Sequence, residues 1–535
     1  MSADPTEQTN KPRMLFLSGP WDHLETVRKV GLVDPVSRLL EHHFDLVTVS
    51  GDQNYGEVVE EHAPDIVMFD SGCDTFQGRT PVFTDTHRHP DVPKVGFVRQ
   101  DFHSPMRLNA YGRMDAWGVE QFFSPSYPYQ GAPRAWRDRV IFIPRWVDTT
   151  YFQDWGETKC IPVAMLGAGF FSSDFYPWRR RVAPRLVQRF PFVHAPRPMP
   201  HPHMIVGENY GRMINRSFFT VGCGGASRSL VSKLFEIPGA RSVLVTQDTA
   251  IVRDAGFVDG ENCVLTDEDD VADRLAYLLD HRDELEALTE RSYQFAHTHH
   301  THRSRDHINQ WLALRKTMPK GHRVIQESCI KPLRAVPKDF QQTQFVPFET
   351  STVTQGISEG FDALSRQDYG SAEHAFEKTL GHYSYMLEGH LGMGIALLGR
   401  GELNKAVARF ARNVNFQTAC HAVVRDPVNQ AYLALTFLGG GNIPMAVKYA
   451  ARAPRVRHPA LGCIRWLLAQ ARPGLATTTP FNVELPDETT NLCSLDPRPT
   501  RSSAEWLGHF RDLMATAGQD ALVAHVDQTG LAQRV

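Results

Sequence analysis

The sequence predicts two α/β domains of the Rossmann type followed by an all-α helical repeat domain. Three observations carry that prediction. Near-continuous apolar segments alternate with amphipathic ones from Arg13 to Pro144, the alternation restarts at Ile161, and a 34-residue spacing of small and aromatic residues begins after 353. At 535 residues the chain is also too long for one hydrophobic core.

In the first third, "RMLFLS" (13–18), "FDLVTV" (44–49), "DIVMFD" (65–70), "KVGFVR" (94–99) and "VIFIP" (140–144) have the length and the apolar run of buried parallel strands. Stretches such as "TVRKVGLVDPVSRLLEHH" are long enough to be crossover helices. This defines an N-terminal Rossmann-like domain over 11–150. After "RWVDTTYFQDWGETK" the pattern resumes with the strands "IPVAMLG" (161–167), "FTVG" (219–222), "SVLVTQ" (242–247) and "NCVL" (262–265). The run "DVADRLAYLLDHRDELEALTERSYQFA" is expected to be helical. The second Rossmann-like domain covers 151–317. Two such units in series are expected to bind a ligand at the carboxyl ends of their strands.

Residues 318–352, with Pro319, Pro332, Pro337 and Pro347, read as a linker. Beyond it the landmarks Gly360, Tyr369, Ala372 and Phe376 recur as Gly394, Leu403, Ala406 and Phe410, 34 residues later. That is the tetratricopeptide period, with small residues where paired helices touch and an aromatic at the packing position. Ala446 marks a third copy, and "LGCIRWLLAQA" (461–471) is placed to cap a stack spanning 353–471. The tail 472–535 is Thr/Pro-rich and then holds one helix-like stretch, "SAEWLGHFRDLMATA" (503–517).

Composition narrows the function. A net charge of −3, with 22% charged and 42% hydrophobic residues, gives no general reason for nucleic-acid or membrane-surface binding. The eight cysteines form no CxxC pair, which suggests neither a zinc site nor a disulfide framework and fits a reducing compartment. "MSADPTEQTNKPR" lacks the apolar core of a signal peptide, and no run reaches the ~20 apolar residues that span a bilayer. The expected location is cytoplasmic, with no transmembrane segment.

Dinucleotide chemistry is disfavoured, because "FLSGPW" holds one glycine and "LGAGFF" (166–171) two, short of the GxGxxG fingerprint. Nucleotide-sugar transfer needs cations or backbone amides for a diphosphate and a carboxylate for a ribose diol. The second domain offers Arg228 and Lys233 ahead of Glu236 on an expected helix ending at Pro238–Gly239, and Arg179, Arg180 and Arg181 where another helix begins. Lys233 and Glu236, at an i,i+3 step, could equally form a surface ion pair of little value. "HTHHTHR" (His297, His299, His300, His302) is read as structural rather than metal-binding, and "HAPRPMPHPH", with His194, His201 and His203, as a loop. "DSGCD" (70–74) has the wrong spacing for a DxD metal site.

An ordered series of motifs then becomes informative: "FIPRWVDTTYF" (142–152), "VAMLG" (163–167), "YPWRRRV" (176–182), "YGRMINRSFFTVG" (210–222), "KLFEIPGARSVLVT" (233–246), "DAGFVDGENCVLTDEDDVADRLAYLL" (254–279) and "THHTHRSR" (298–305). Residues 161–306 thereby resemble the C-terminal half of GT-B glycosyltransferases, in the group related to the spore-maturation protein CgeB. The resemblance implies that Glu236 accepts hydrogen bonds from the donor's ribose, and that Lys233, Arg228 or Arg180 neutralises its diphosphate. It also implies a metal-independent GT-B enzyme with no cofactor beyond the nucleotide-diphosphate sugar. Gly167 and Gly19, each at a strand end, allow close approach of donor or acceptor.

In the first domain, Asp101 and His103 follow the strand "KVGFV" and are the candidates for a general base, or for positioning the acceptor if configuration is retained. The expected function is transfer of a hexosyl or related sugar to an acceptor hydroxyl, on a protein such as a surface or flagellar polypeptide docked by 353–471. Two alternatives stand beside it. One is a glycan or lipid-linked acceptor with the repeats as an assembly or homo-oligomerisation module, and the other a non-catalytic repeat scaffold.

Overall fold

A computed structural model describes residues 11–19, 35–71, 81–100, 104–126, 136–167, 174–195, 205–341, 351–419, 426–451, 458–471, 498 and 501–529. The chain divides into two compact units that do not follow chain order. One holds 1–101, 117–130 and 139–351; the other holds 102–116, 131–138 and 352–535.

The first unit contains two parallel sheets. The six strands of the first are β1 (Arg13–Ser18), β2 (Asp45–Ser50), β3 (Ile66–Asp70), β4 (Lys94–Phe97), β5 (Gln121–Ser124) and β6 (Val140–Phe142), in the order β2-β1-β3-β4-β5-β6. Register sets Met14 opposite both Leu46 and Ile66. β3, β4 and β5 are buried at every position, as parallel strands covered on both faces require. β5, "QFFS", is a strand that the sequence pattern did not single out, since four residues bounded by polar neighbours carry little periodicity.

The second sheet has β7 (Ile161–Leu166), β8 (Phe192–Ala195), β9 (Ser217–Val221), β10 (Val243–Thr246) and β11 (Val264–Leu265), in the order β8-β7-β9-β10-β11. The run expected to be helical forms two helices, α8 (Val271–Asp280) and α9 (Arg282–His299), broken at His281. For chain-order labels, the helices before them are α1 (Pro35–His43), α2 (Tyr55–His62), α3 (Arg107–Ala116), α4 (Pro177–Arg189), α5 (Gly207–Asn215), α6 (Lys233–Gly239) and α7 (Ala250–Asp254).

The chain crosses between the two sheets twice, near 144–152 and 299–307. Arg305, fully buried, donates from Nε to Pro144 O at 3.0 Å and from Nη2 to Arg145 O at 3.1 Å and His300 Nδ1 at 2.7 Å. The His300 ring lies against Phe235, Phe257 and Phe295, and its Nε2 sits 2.9 Å from Ala255 O. Past this crossing, α10 (His307–Thr317) returns Ile308, Trp311 and Leu312 to the core of the first sheet beside Met14 and Phe16. On the same side α1 reaches the crossing segments, through an Arg38–Asp148 ion pair and a 3.0 Å contact from His43 to His302 O.

The stretch expected to be a linker is packed. It forms an antiparallel hairpin of β12 (His322–Ile325) and β13 (Arg334–Pro337). The Gln326 amide between them meets both Phe142 N and Phe142 O at 2.9 Å, and Leu333 N donates to Gln310 Oε1 at 2.8 Å.

The second unit is helical: α11 (Thr352–Ser365), α12 (Tyr369–His382), α13 (Leu387–Gly399), α14 (Leu403–Ala419), α15 (Pro427–Gly439), α16 (Ile443–Ala451), α17 (Pro459–Ala471), α18 (Ser503–Thr516) and α19 (Asp520–Thr529). Consecutive helices pack on one another, and the first helices of successive pairs also touch. The landmarks act as the spacing requires. A side chain on Gly360 or Gly392 would run into the Phe376 ring, one on Gly394 would meet Phe410, and Ala372, Ala406 and Ala446 are fully buried. The tail contributes two helices rather than one. α3 also belongs to this unit, with eight of its ten residues buried, an ion pair from Arg107 to Glu388 of α13, and Tyr111 stacked on Trp136 at 5.8 Å.

Two outcomes follow from this burial. Removing one member of a buried pair leaves an uncompensated charge, so Glu388→Ala should lower stability by about 3–5 kcal/mol in urea unfolding, and Arg107→Met with Glu388→Leu should recover most of it. Burial, then its neighbours His43 and His302, hold His42 down to about 4, and burial with Arg305 holds His307 at about 3. The unfolded chain takes up those protons near pH 6.5 while the folded chain stays neutral. Stability present above pH 6.5 is therefore lost as pH falls toward 4, and a melting series over that window should show Tm falling by roughly 5 °C or more.

Candidate functional site

The site grows from the carboxyl end of β7. Its last residue, Leu166, accepts a 2.7 Å hydrogen bond from Lys233 Nζ, and the next, Gly167, has φ +101°. A side chain there would collide with the Lys233 ammonium, so glycine is required both by the backbone and by the space. Lys233 opens α6, and its ammonium reaches across the sheet end to the β7 turn.

On the neighbouring strand His194 lies opposite Met165. Burial first, then Arg179 and Lys233, push its pKa below the ordinary histidine value, while a bond with the Gly167 backbone acts against them. The two cations thus bear on one imidazole at one turn. Arg179 is 1% exposed and lies over the Tyr176 ring at 4.6 Å. It is held there because α4 starts at Pro177 and turns Trp178 and Arg179 inward. Arg180 is exposed, and Arg181 pairs with Glu268 at 2.6 Å. Of the three arginines the inward one is therefore Arg179, not Arg180; the sequence showed the cluster, and helix phase selects the member.

The turn after β9 completes the edge. Gly225 has φ +70° and sits where a side chain would press on Phe175 O, to which Ala226 N donates at 2.8 Å. Arg228 adopts φ +51°, a left-handed conformation that a non-glycine residue holds only when its surroundings enforce it. Arg228 therefore precedes the helix in a turn and does not share it with Glu236. α6 begins at Lys233, so Glu236 is in its first turn rather than at its end, and Pro238 and Gly239 lie inside the helix. Gly239 packs where a side chain would meet Val147, which explains the small residue: the crossing segment presses on the helix there. Lys233 and Glu236 remain one turn apart, both half-buried.

In the first sheet, Gly19 follows β1 and is buried, next to a 3.1 Å contact between Ser18 Oγ and Ser50 Oγ. Asp101 and His103 lie outside the described residues, as do His201 and His203. The strand end leading to them is firmly held. Arg99 donates to both carboxylate oxygens of Asp70, at 2.7 and 2.9 Å, and Gln100 is bonded to Ser71 Oγ at 2.5 Å and Ser71 O at 2.9 Å. This pairing was not anticipated. Its signal was a charged residue closing each of two adjacent apolar strands, "DIVMFD" and "KVGFVR". The remaining histidines of "HTHHTHR" serve the crossing, with His297 Nε2 2.9 Å from Gly239 O.

A cation beside a glycine turn suits an anion such as a phosphate, and a carboxylate one helical turn from Lys233 suits hydroxyl donors. Residues 155–313, which hold this edge, match the family model described as glycosyl transferase-like. A search of curated proteins found no match. Among solved structures, the chain is similar to Anabaena HepE in complex with UDP-glucose, at 11% identity and a TM-score of 0.36, over 58% of this chain and 100% of that one. It is also similar to a glycosyltransferase from Rickettsia africae, at 10% identity and 0.36 over 58% and 97%, and to S. aureus MnaA with UDP, at 12% and 0.32 over 57% and 98%.

Gly167→Ala tests the centre of this edge. It should displace Lys233 from Leu166 O, destabilise by at least ~1 kcal/mol, and weaken pyrophosphate binding in calorimetry about tenfold, with the circular dichroism spectrum unchanged.

Proposed function

We propose that this chain is a glycosyltransferase using a nucleotide-diphosphate sugar. Arg179 and Lys233 neutralise the donor diphosphate, Gly167 lets it approach the end of β7, and Glu236 accepts the ribose hydroxyls. The observation that carries this reading is the Lys233 ammonium held against the Gly167 turn, with Glu236 one helical turn away, inside the segment with glycosyl transferase-like sequence. The anomeric C–O bond to phosphate breaks as a bond to the acceptor oxygen forms. Asp101 or His103 takes the acceptor proton if configuration inverts, and positions the acceptor if it is retained. Basic side chains carry the leaving charge, so no metal is required of the site.

The acceptor in this proposal is a protein hydroxyl, delivered by a partner engaging the tetratricopeptide-type helices of 353–471. A second reading, with a glycan or lipid-linked acceptor and the repeats as a structural module, is favoured by the inclusion of α3 in the helical unit.

A thermal-shift panel of UDP- and GDP-sugars should find one that raises Tm by mass action. Glu236→Ala should then weaken that donor about 10- to 100-fold, the range expected for lost charge-assisted hydrogen bonds, with Tm of the free protein unchanged. Absence of any nucleotide binding or donor hydrolysis would overturn the proposal.

A further inference from the structure

Two first helices of the repeat pairs, α13 and α15, are covered on nearly every side. All thirteen residues of α13 are buried, as are twelve of the thirteen in α15. In an open stack of helix pairs, such a helix buries one face on its partner and neighbours and leaves the other on the concave surface. Here α18, from the far end of the chain, supplies part of the cover: it packs on α17 and reaches α13 and α15, all first helices.

Its seating is that of a ligand helix in a groove. Trp506, Leu507, Phe510, Leu513 and Met514 form one apolar stripe at i, i+1, i+4, i+7 and i+8, and every one is buried. Tyr432 of α15 is the receiving anchor. Its ring meets Trp506 at 5.8 Å and Phe510 at 5.6 Å, and its hydroxyl lies 2.9 Å from His509 Nε2. At the far end, Gln519 Nε2 donates to Gly439 O at 2.9 Å. Gly439 also admits Met514 and Ala517, each at 3.1 Å from where a side chain would stand.

α18 carries its own start signal, a capping box in which Ser502 Oγ accepts from Glu505 N and Glu505 accepts from Ser502 N. The start of the helix is thus specified locally. Thirty-one residues, 472–502, join it to α17, against which it packs, so a far shorter connection would have sufficed.

We propose that α18 is a tethered ligand of the repeat groove, and that the groove's external partner is a protein presenting an amphipathic helix with the same stripe, two aromatics four residues apart followed by aliphatics. Partner binding exchanges that helix for α18. This rests on the proposed role of the repeats in engaging a protein, and supplies its regulation: the chain blocks its own dock until a better helix competes.

The test uses the full chain and a fluorescent peptide of residues 501–519, read by anisotropy, with no donor present. The wild-type chain, its groove filled, should bind the peptide weakly. Phe510→Ala in the chain should raise peptide affinity at least tenfold, and adding Tyr432→Ala should abolish the gain. A folded Phe510→Ala chain with no gain in affinity would overturn the proposal. Should that variant fail to fold, hydrogen exchange on the wild-type chain decides. Amides of α18 exchanging through an opening that leaves α13 and α15 protected support the tethered ligand, and exchange only with global unfolding refutes it. Donor hydrolysis, assayed separately, reports on the transferase reading alone.

Discussion

The first unit depends on one buried cation. Arg305 has almost no contact with solvent, and burial lowers its pKa to about 10. A guanidinium in that position is tolerated only where carbonyls and ring nitrogens satisfy its donors in a fixed fork. Those acceptors come from both crossings of the chain: Pro144 and Arg145 on the outward pass, His299 and His300 on the return. The same His300 is clasped by Phe235 of α6 and by Phe257 and Phe295. The helix bearing Lys233 and Glu236 is therefore indexed to the crossing through its own core residue.

That indexing gives the anion edge its geometry. Lys233 must extend from the start of α6 to Leu166 O, which is possible only because Gly167 leaves the space empty and Gly239 lets the helix settle against Val147. Two glycines, one at the turn after β7 and one in the last turn of α6, translate sheet geometry into the placement of an ammonium. On the first sheet the Asp70–Arg99 pair does the corresponding work for the strand end before Asp101, with the Asp70 side chain fully buried and bidentately held.

The helical unit follows a different logic. Its glycines and alanines allow helices to approach, with Phe376 and Phe410 filling the spaces. Stacking alone would leave a concave apolar face exposed. The chain resolves this internally, by α18 along the first helices and by α3 through the Arg107–Glu388 pair. A repeat array closed by its own tail helix buries that face within the unit itself.

Much of this was readable in the residues. The apolar strands β1, β3 and β4, the 34-residue repeat and the Lys233–Glu236 step are local patterns, set by side-chain period and spacing, and the sequence alone determined them. It missed β5 and β8, each four residues long, because so short an element owes its conformation to its neighbours. It placed Arg228 on a helix and favoured Arg180 over Arg179, because a left-handed turn and the phase of a helix start are decided by packing against Phe175 and Tyr176. It read 318–352 as a linker because prolines mark irregular backbone, while the bonds of Gln326 to Phe142 join residues 184 apart. The sequence thus determined which residues were available to hold an anion and which helices would pair. Which arginine turns inward, where Glu236 stands on its helix and what fills the groove were decided only by the tertiary structure, because each rests on contacts between segments far apart in the chain.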